Sequence, residues 1–140
     1  MSTCIAIVQA RMDSKRFPKK VLKKINGKTV IEILLTRLQK SRKVKKIILA
    51  TAKKKVNDLL VKHVNKLGFE VYRGSSENVL SRYYNLSQQT KAKYIVRITG
   101  DCPLVDPRLV DKMIEIIDKK KCDIVSNVYP PTFPDGFDIE

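Results

Sequence analysis

The segment Gln9 to Leu22, QARMDSKRFPKKVL, sets Arg11, Lys15, Arg16, Lys19 and Lys20 close together, with Ser14 and Pro18 among them. Clustered cations on a loop with free amides suit a polyphosphate. The guanidinium fork matches phosphate oxygens, and lysine adds a mobile point charge. The same composition also describes a solvated basic loop, so position decides between the two. A second segment, Thr99-Gly100-Asp101-Cys102-Pro103, offers one carboxylate beside a glycine that admits close approach of backbone or ligand. Such a carboxylate suits Mg2+, which takes oxygen ligands and bridges phosphates. An Asp in a turn also serves as a local hydrogen-bonding residue. A third segment runs from Arg73, Gly74 and Ser75 to Arg82. It reads as a turn entering a helix, either an anion or polar-ligand site or a plain capped helix with a surface arginine. Asp135, Asp138 and Glu140 gather near Gly136. If a strand begins there, Asp138 and Glu140 share one side and could meet a sugar or a second metal; the alternative is a solvated acidic end.

The elements that must hold these segments follow from hydrophobic periodicity. Thr3 to Val8, Lys46 to Thr51, Phe69 to Tyr72, Tyr94 to Ile98 and Asp123 to Ser126 read as five strands. Helices are expected from Thr29 to Ser41, from Lys54 to Leu67 with Gly68 closing it, and from about Glu77 to Thr90 behind a Ser75 or Ser76 cap. A fourth helix begins at Pro107 behind Asp106, where a proline has no amide hydrogen to lose. This alternation argues for parallel strands joined by crossover helices, an α/β sandwich. Ligands in open sheets of this kind bind outside the carboxyl ends of the strands. The first three polar segments all follow strands, which favours their binding readings.

Bulk features narrow the function classes. The chain has 140 residues, one domain's worth, and 43% of them are hydrophobic, as in an ordinary folded protein. No apolar run approaches the roughly 20 residues of a membrane span, and Met1 to Val8 lacks a signal peptide's basic start. The cytoplasm is the expected location. Three cysteines (Cys4, Cys102 and Cys122) without C-x-x-C spacing imply neither a disulfide framework nor a zinc site. His63 falls on the apolar helical face of Leu60 and Leu67 and reads as structural. The net charge of +15 invites nucleic acid, but it is mostly lysine and lacks any recognition motif, so it reads as a solvated surface. Gly27-Lys28-Thr29 resembles the end of a Walker A loop, but Leu22 stands where its first glycine belongs; a turn opening a helix is expected instead.

Gln9-Ala10-Arg11 followed by Ser14, Arg16, Phe17, Pro18, Lys20 and Leu22 resembles the signature of cytidylyltransferases that activate sugar acids such as 3-deoxy-manno-octulosonate and acylneuraminates. The likeness is strongest to the spore coat polysaccharide biosynthesis branch. YRGSSENVLSRYY (72–84), VRITGDCPLVDP (96–107), VSN (125–127) and FPDGFDIE (133–140) continue it in order. The resemblance implies a Rossmann-like three-layer α/β sandwich of the nucleotide-diphospho-sugar transferase type, with a mostly parallel sheet. It implies transfer of CMP from CTP to a sugar acid, releasing pyrophosphate, in cell-surface polysaccharide biosynthesis. By position, Arg11 and Lys20 would grip the triphosphate, with Ser14 and Arg16 shaping the loop and Ala10 also among the nucleotide-binding residues, and Arg73, Gly74, Ser75 and Arg82 would contact base or ribose. Asp101 would carry Mg2+, with Arg11, Lys20 and Asp101 as the chemical core. Asn127, Asp135, Asp138 and Glu140 would lie toward the sugar.

Lys19 departs from the family, which usually has glycine there; it either stiffens the loop or adds a phosphate contact. Family members continue well beyond position 140. Residues 1–140 are therefore expected to be the nucleotide-binding part, with the sugar-binding part and the contact for a homodimer in the segment that follows. Two other classes remain: a glycosyltransferase of related fold, whose metal-binding D-x-D is approached only by Asp138-Ile139-Glu140, and a non-catalytic nucleotide- or nucleic-acid-binding fragment.

Overall fold

The computed structural model describes residues 3–140. The beta-branched run CIAIVQ forms β1 (Cys4–Gln9), buried along all but its last residue. A two-strand ribbon, β2 (Lys24–Ile25) and β3 (Lys28–Thr29), then turns at Asn26-Gly27. Both turn residues have positive φ, 48° and 82°, the backbone for which Asn-Gly is the preferred pair. Thr29 accepts a bond from the Glu32 amide and caps α1 (Val30–Leu38). There follow β4 (Lys46–Ala52), α2 (Asp58–Lys66), β5 (Glu70–Gly74), α3 (Val79–Thr90), β6 (Tyr94–Thr99) and α4 (Pro107–Lys120).

The main sheet has the order β5-β4-β1-β6 and all its pairings are parallel. The chain steps outward from β1 to β5, then returns through α3 to place β6 on the other side of β1. Right-handed crossovers in opposite directions put their helices on opposite faces. Cys4, Ala6 and Val8 accordingly pack with Leu34 of α1, Leu60 of α2 and Val110 of α4. Ile5, Ile7, Ile48 and Ala50 meet Tyr83 and Leu86 of α3. The result is the expected three-layer sandwich. The order of strands reverses between β1 and β6, where the carboxyl ends part and leave a crevice.

Several expected boundaries move for identifiable reasons. The Lys54–Leu67 helix begins only at Asp58 after a 3-10 turn at Lys55–Asn57, because the Asn57 carboxamide is bonded outside the helix. Neither Ser75 nor Ser76 caps α3. The Ser75 hydroxyl accepts from the amides of Glu77 and Asn78, and the Asn78 carboxamide caps at Ser81 N, 2.9 Å away. The helix therefore starts at Val79 rather than near Glu77. Asp106 caps α4 with Pro107 at its first position, as expected.

Asp123–Ser126 forms no strand: no backbone hydrogen bond joins it to the sheet among the described residues, and Ile124 is exposed. The outer edge of β6 is met instead by Glu140, which exchanges backbone bonds with Arg97 in both directions. His63 is structural, its Nε2 lying 2.8 Å from the Thr29 hydroxyl and tying α2 to the cap of α1. No helix among the described residues is long and apolar enough to cross a membrane.

Candidate functional site

The crevice between the carboxyl ends of β1 and β6 holds a cleft of about 440 Å3. One wall is the loop after β1. Its backbone continues the sheet for one more step, with Ala10 N bonded to Ala50 O at 3.2 Å. Met12 is buried, and its amide is held by the Asn57 carboxamide at 2.9 Å. The other end of that carboxamide donates to Ala52 O at 3.1 Å, so one fully buried side chain ties the loop to the end of β4. Lys19 N then bonds back to Met12 O at 3.1 Å, closing the excursion, and Lys20–Leu22 follow as a 3-10 turn anchored by buried Val21. Asn57→Ala leaves the Met12 amide and Ala52 carbonyl without partners. A loss of about 2–3 kcal/mol in a urea titration is expected, with loosened anion binding.

Lys19 sits at φ 57°, ψ 18°, in the left-handed region. Glycine is the residue that adopts this backbone without a Cβ penalty, so lysine is strained here. The loop keeps its closed path in spite of lysine. Lys19→Gly should stabilise the chain by up to about 1 kcal/mol, once glycine's greater freedom when unfolded is set against the relief. Thermal melting checks this.

The second wall comes from β6 and its following turn. Gly100 N donates to Gln9 O at 2.7 Å, and a Cβ on Gly100 would lie 2.7 Å from that of Ala10, so only glycine allows the two strand ends to meet. This contact brings Asp101 against the loop, where Lys20 Nζ donates to Asp101 Oδ2 at 2.5 Å. Burial opposes ionisation of Asp101, but hydrogen bonds from Lys20 and Thr99, with the lysine's charge, hold its carboxyl below the ordinary value. Cys102 is packed against Thr99, and burial pushes its thiol up, as suits a structural cysteine.

The third wall is α3. Arg82 is only 3% exposed, yet it lines the cleft and makes no hydrogen bond or ion pair among the described residues, its Nε being buried without a partner. Burial depresses the guanidinium's pKa; Tyr83 opposes that and the positive Arg11 adds to it. Gly74 gives Arg82 its room, since a Cβ there would lie 2.7 Å from Arg82 Cγ. A buried cation without a counter-charge is costly unless something anionic joins it.

Of the expected residues, Ala10, Arg11, Ser14, Arg16, Lys20, Arg82 and Asp101 all line this cleft. Arg11 is largely exposed and 3.8 Å from Asp13. Others are placed elsewhere. Arg73 pairs with Asp58 at 2.7 Å and donates to Lys54 O, bracing the start of α2. Gly74 and Ser75 shape the turn and the room for Arg82. The Asn127 carboxamide is consumed by Phe137 O and Ile139 N, both at 2.8 Å, and Glu140 pairs with Arg97. Asp135 is exposed and Asp138 half-buried.

Asp13 and Asn57 carry structural weight that no motif announces. Asp13 takes Lys54 at 3.2 Å, and its carboxyl falls below the usual range because those bonds outweigh burial. Only the folded contact reveals either residue.

A cation could join Asp101. Among the described residues no group of three or more metal-ligating side chains exists. One partly exposed, ionised carboxylate facing a basic cleft does fit Mg2+, which commonly binds through one or two carboxylates plus the phosphates of a ligand.

Residues 5–133 match the family model described as cytidylyltransferase. The chain belongs to the cytidylyltransferase family. It is 48% identical over 122 residues to an uncharacterized protein of Methanocaldococcus jannaschii, covering 87% of this chain and 50% of that one. It is 40% identical over 119 residues to the spore coat polysaccharide biosynthesis protein SpsF of Bacillus subtilis, covering 82% and 50%. A solved cytidylyltransferase from Leptospira borgpetersenii superposes with a TM-score of 0.93 at 30% identity, covering 99% of this chain and 59% of that one. The chain thus spans about half the length of the curated relatives it matches. The matched residues include the basic wall of the cleft, Ala10, Arg11, Ser14, Lys15, Arg16 and Lys20.

Proposed function

We propose that the cleft binds CTP and serves a cytidylyl transfer in which a sugar-acid hydroxyl attacks the α-phosphorus and pyrophosphate leaves. The observation that carries this is Arg82, a buried, unpartnered guanidinium facing a cleft whose other wall supplies Arg11, Arg16 and Lys20. Such a site is incomplete without a polyanion. Membership of the cytidylyltransferase family narrows the polyanion to CTP, and the likeness to the spore coat protein favours a sugar of cell-surface polysaccharide.

Reactions of this kind rest on positioning and neutralisation of charge rather than on covalent catalysis. Arg82 and Arg11 would hold and orient the triphosphate. Lys20 would stabilise charge that develops on the departing pyrophosphate, and Asp101 keeps that lysine aimed into the cleft. Mg2+ at Asp101 would supply further neutralisation of phosphate charge and polarise the attacked group. Residues 1–140 form the nucleotide-binding part in this reading. The segments equivalent to the relatives' other half complete the sugar pocket and any homodimer contact.

The test is a panel of CTP, UTP, ATP and GTP with Mg2+, read by thermal shift and pyrophosphate release. Stabilisation by CTP above the others is expected. Stabilisation by none of them sinks the reading, and stabilisation without pyrophosphate release assigns this segment to binding alone.

A further inference from the structure

A polar contact runs from α3 into the cleft: the Tyr83 hydroxyl donates to Gln9 Oε1 at 3.2 Å. With its oxygen engaged, the Gln9 carboxamide must turn its NH2 the other way. Gln9 lines the cleft, and its amide nitrogen has no protein partner among the described residues. Both residues share the α3 side of the sheet, where Gln9 lies opposite Thr99 in the register.

We propose that Gln9 is a specificity residue that donates from its amide nitrogen to a neutral acceptor on the base of the bound nucleotide, and that Tyr83 is a positioning residue that fixes its direction. This rests on the nucleotide reading of the cleft and deepens it. The charged side chains Arg11, Arg16, Lys20 and Arg82 suit phosphate oxygens, whereas a neutral carboxamide adds little there. Its directional N–H is suited to a carbonyl, and a site built to hydrogen bond such a group penalises ligands that lack it. This bond also explains why a tyrosine only 8% exposed keeps its hydroxyl inside a cluster of isoleucines and leucine.

The experiment compares CTP with inorganic tripolyphosphate, which has the phosphates and no base, by calorimetry on the full chain with Mg2+. Gln9→Met keeps the side chain's length and removes its donors. It should weaken CTP about tenfold and leave tripolyphosphate unchanged. Tyr83→Phe keeps the packed ring, and should weaken CTP roughly three- to fivefold with Gln9 present, but not at all in the Gln9→Met background. In 15N spectra, the Gln9 side-chain amide signals should move on addition of CTP and stay still with tripolyphosphate. Equal losses for both ligands, additive effects of the two substitutions, or CTP affinity indifferent to Gln9→Met would each overturn the assignment while leaving the nucleotide cleft intact. A wild-type chain that binds neither ligand would overturn both readings together.

Discussion

Arg82→Met is expected to raise the melting temperature of the ligand-free chain while weakening CTP binding by at least tenfold. The two effects have one cause. Arg82 is 3% exposed, has no ion pair or hydrogen bond among the described residues, and carries a charge that burial disfavours. Methionine fills most of the same volume without a charge to desolvate. A gain of about 1 kcal/mol follows, which is roughly 3–5 °C for a chain of this size. In the bound state the sign reverses. A guanidinium bonded to phosphate in a dry cleft contributes about 1.5–3 kcal/mol, so its loss weakens binding ten- to hundredfold. Arg82→Lys separates charge from geometry and should recover only part of the affinity, because an ammonium cannot make the paired contact. Differential scanning fluorimetry with and without CTP reads both limbs. A destabilised, CTP-binding Arg82→Met variant would mean that the arginine serves packing alone.

Asp101→Asn is the second large effect: Mg2+-dependent enhancement of CTP binding should vanish, and pyrophosphate release by the complete enzyme should fall about a hundredfold or more. The shape of the side chain is kept, so the loss reports on charge. The folded carboxyl is held below its ordinary value by the Lys20 and Thr99 hydrogen bonds, which overcome burial. For a carboxyl depressed by folding, the associated stability is fully present above the unfolded value near about 4. It is lost as pH falls through the lower folded value. Wild-type stability should therefore decline at the acid end of that window, and the Asp101→Asn variant should show a shallower decline there. Because the pair is partly exposed, added salt should shrink the difference.

The sheet was legible because its strands are buried apolar runs. β1, β4 and β6 appear within a residue or so of the expected positions, and burial of both faces leaves little else such runs can be. The cleft was legible in the same degree, because the order of strands puts its walls together once the sheet is parallel. What failed depended on side chains choosing among neighbours. Asn78 took the cap from Ser75 because Ser75 was satisfied one turn earlier. Asp123–Ser126 has a strand's composition but no strand beside it to pair with. Asn26-Gly27 is a hairpin signal for the β2–β3 ribbon, masked by the adjoining Lys28-Thr29, which reads equally well as a helix opening. The Asp58 partner of Arg73 is likewise a contact that the sequence does not announce.

The order of strands also sets a timetable. β1 finds β4 after one crossover, but its other neighbour, β6, lies about 90 residues along the chain, and pairings so distant close slowly. As the chain leaves the ribosome, β1, β4 and β5 with α1 and α2 can assemble while Asp101 is still unmade. The basic loop is then a bare cluster of charge, exposed to the polyanions that surround every nascent chain. The two walls of the cleft meet only when β6 docks and Gly100 draws Asp101 against Lys20. If the cleft binds nucleotide as proposed, nucleotide present during synthesis should act as a folding aid, because it joins walls that meet only after β6 is made.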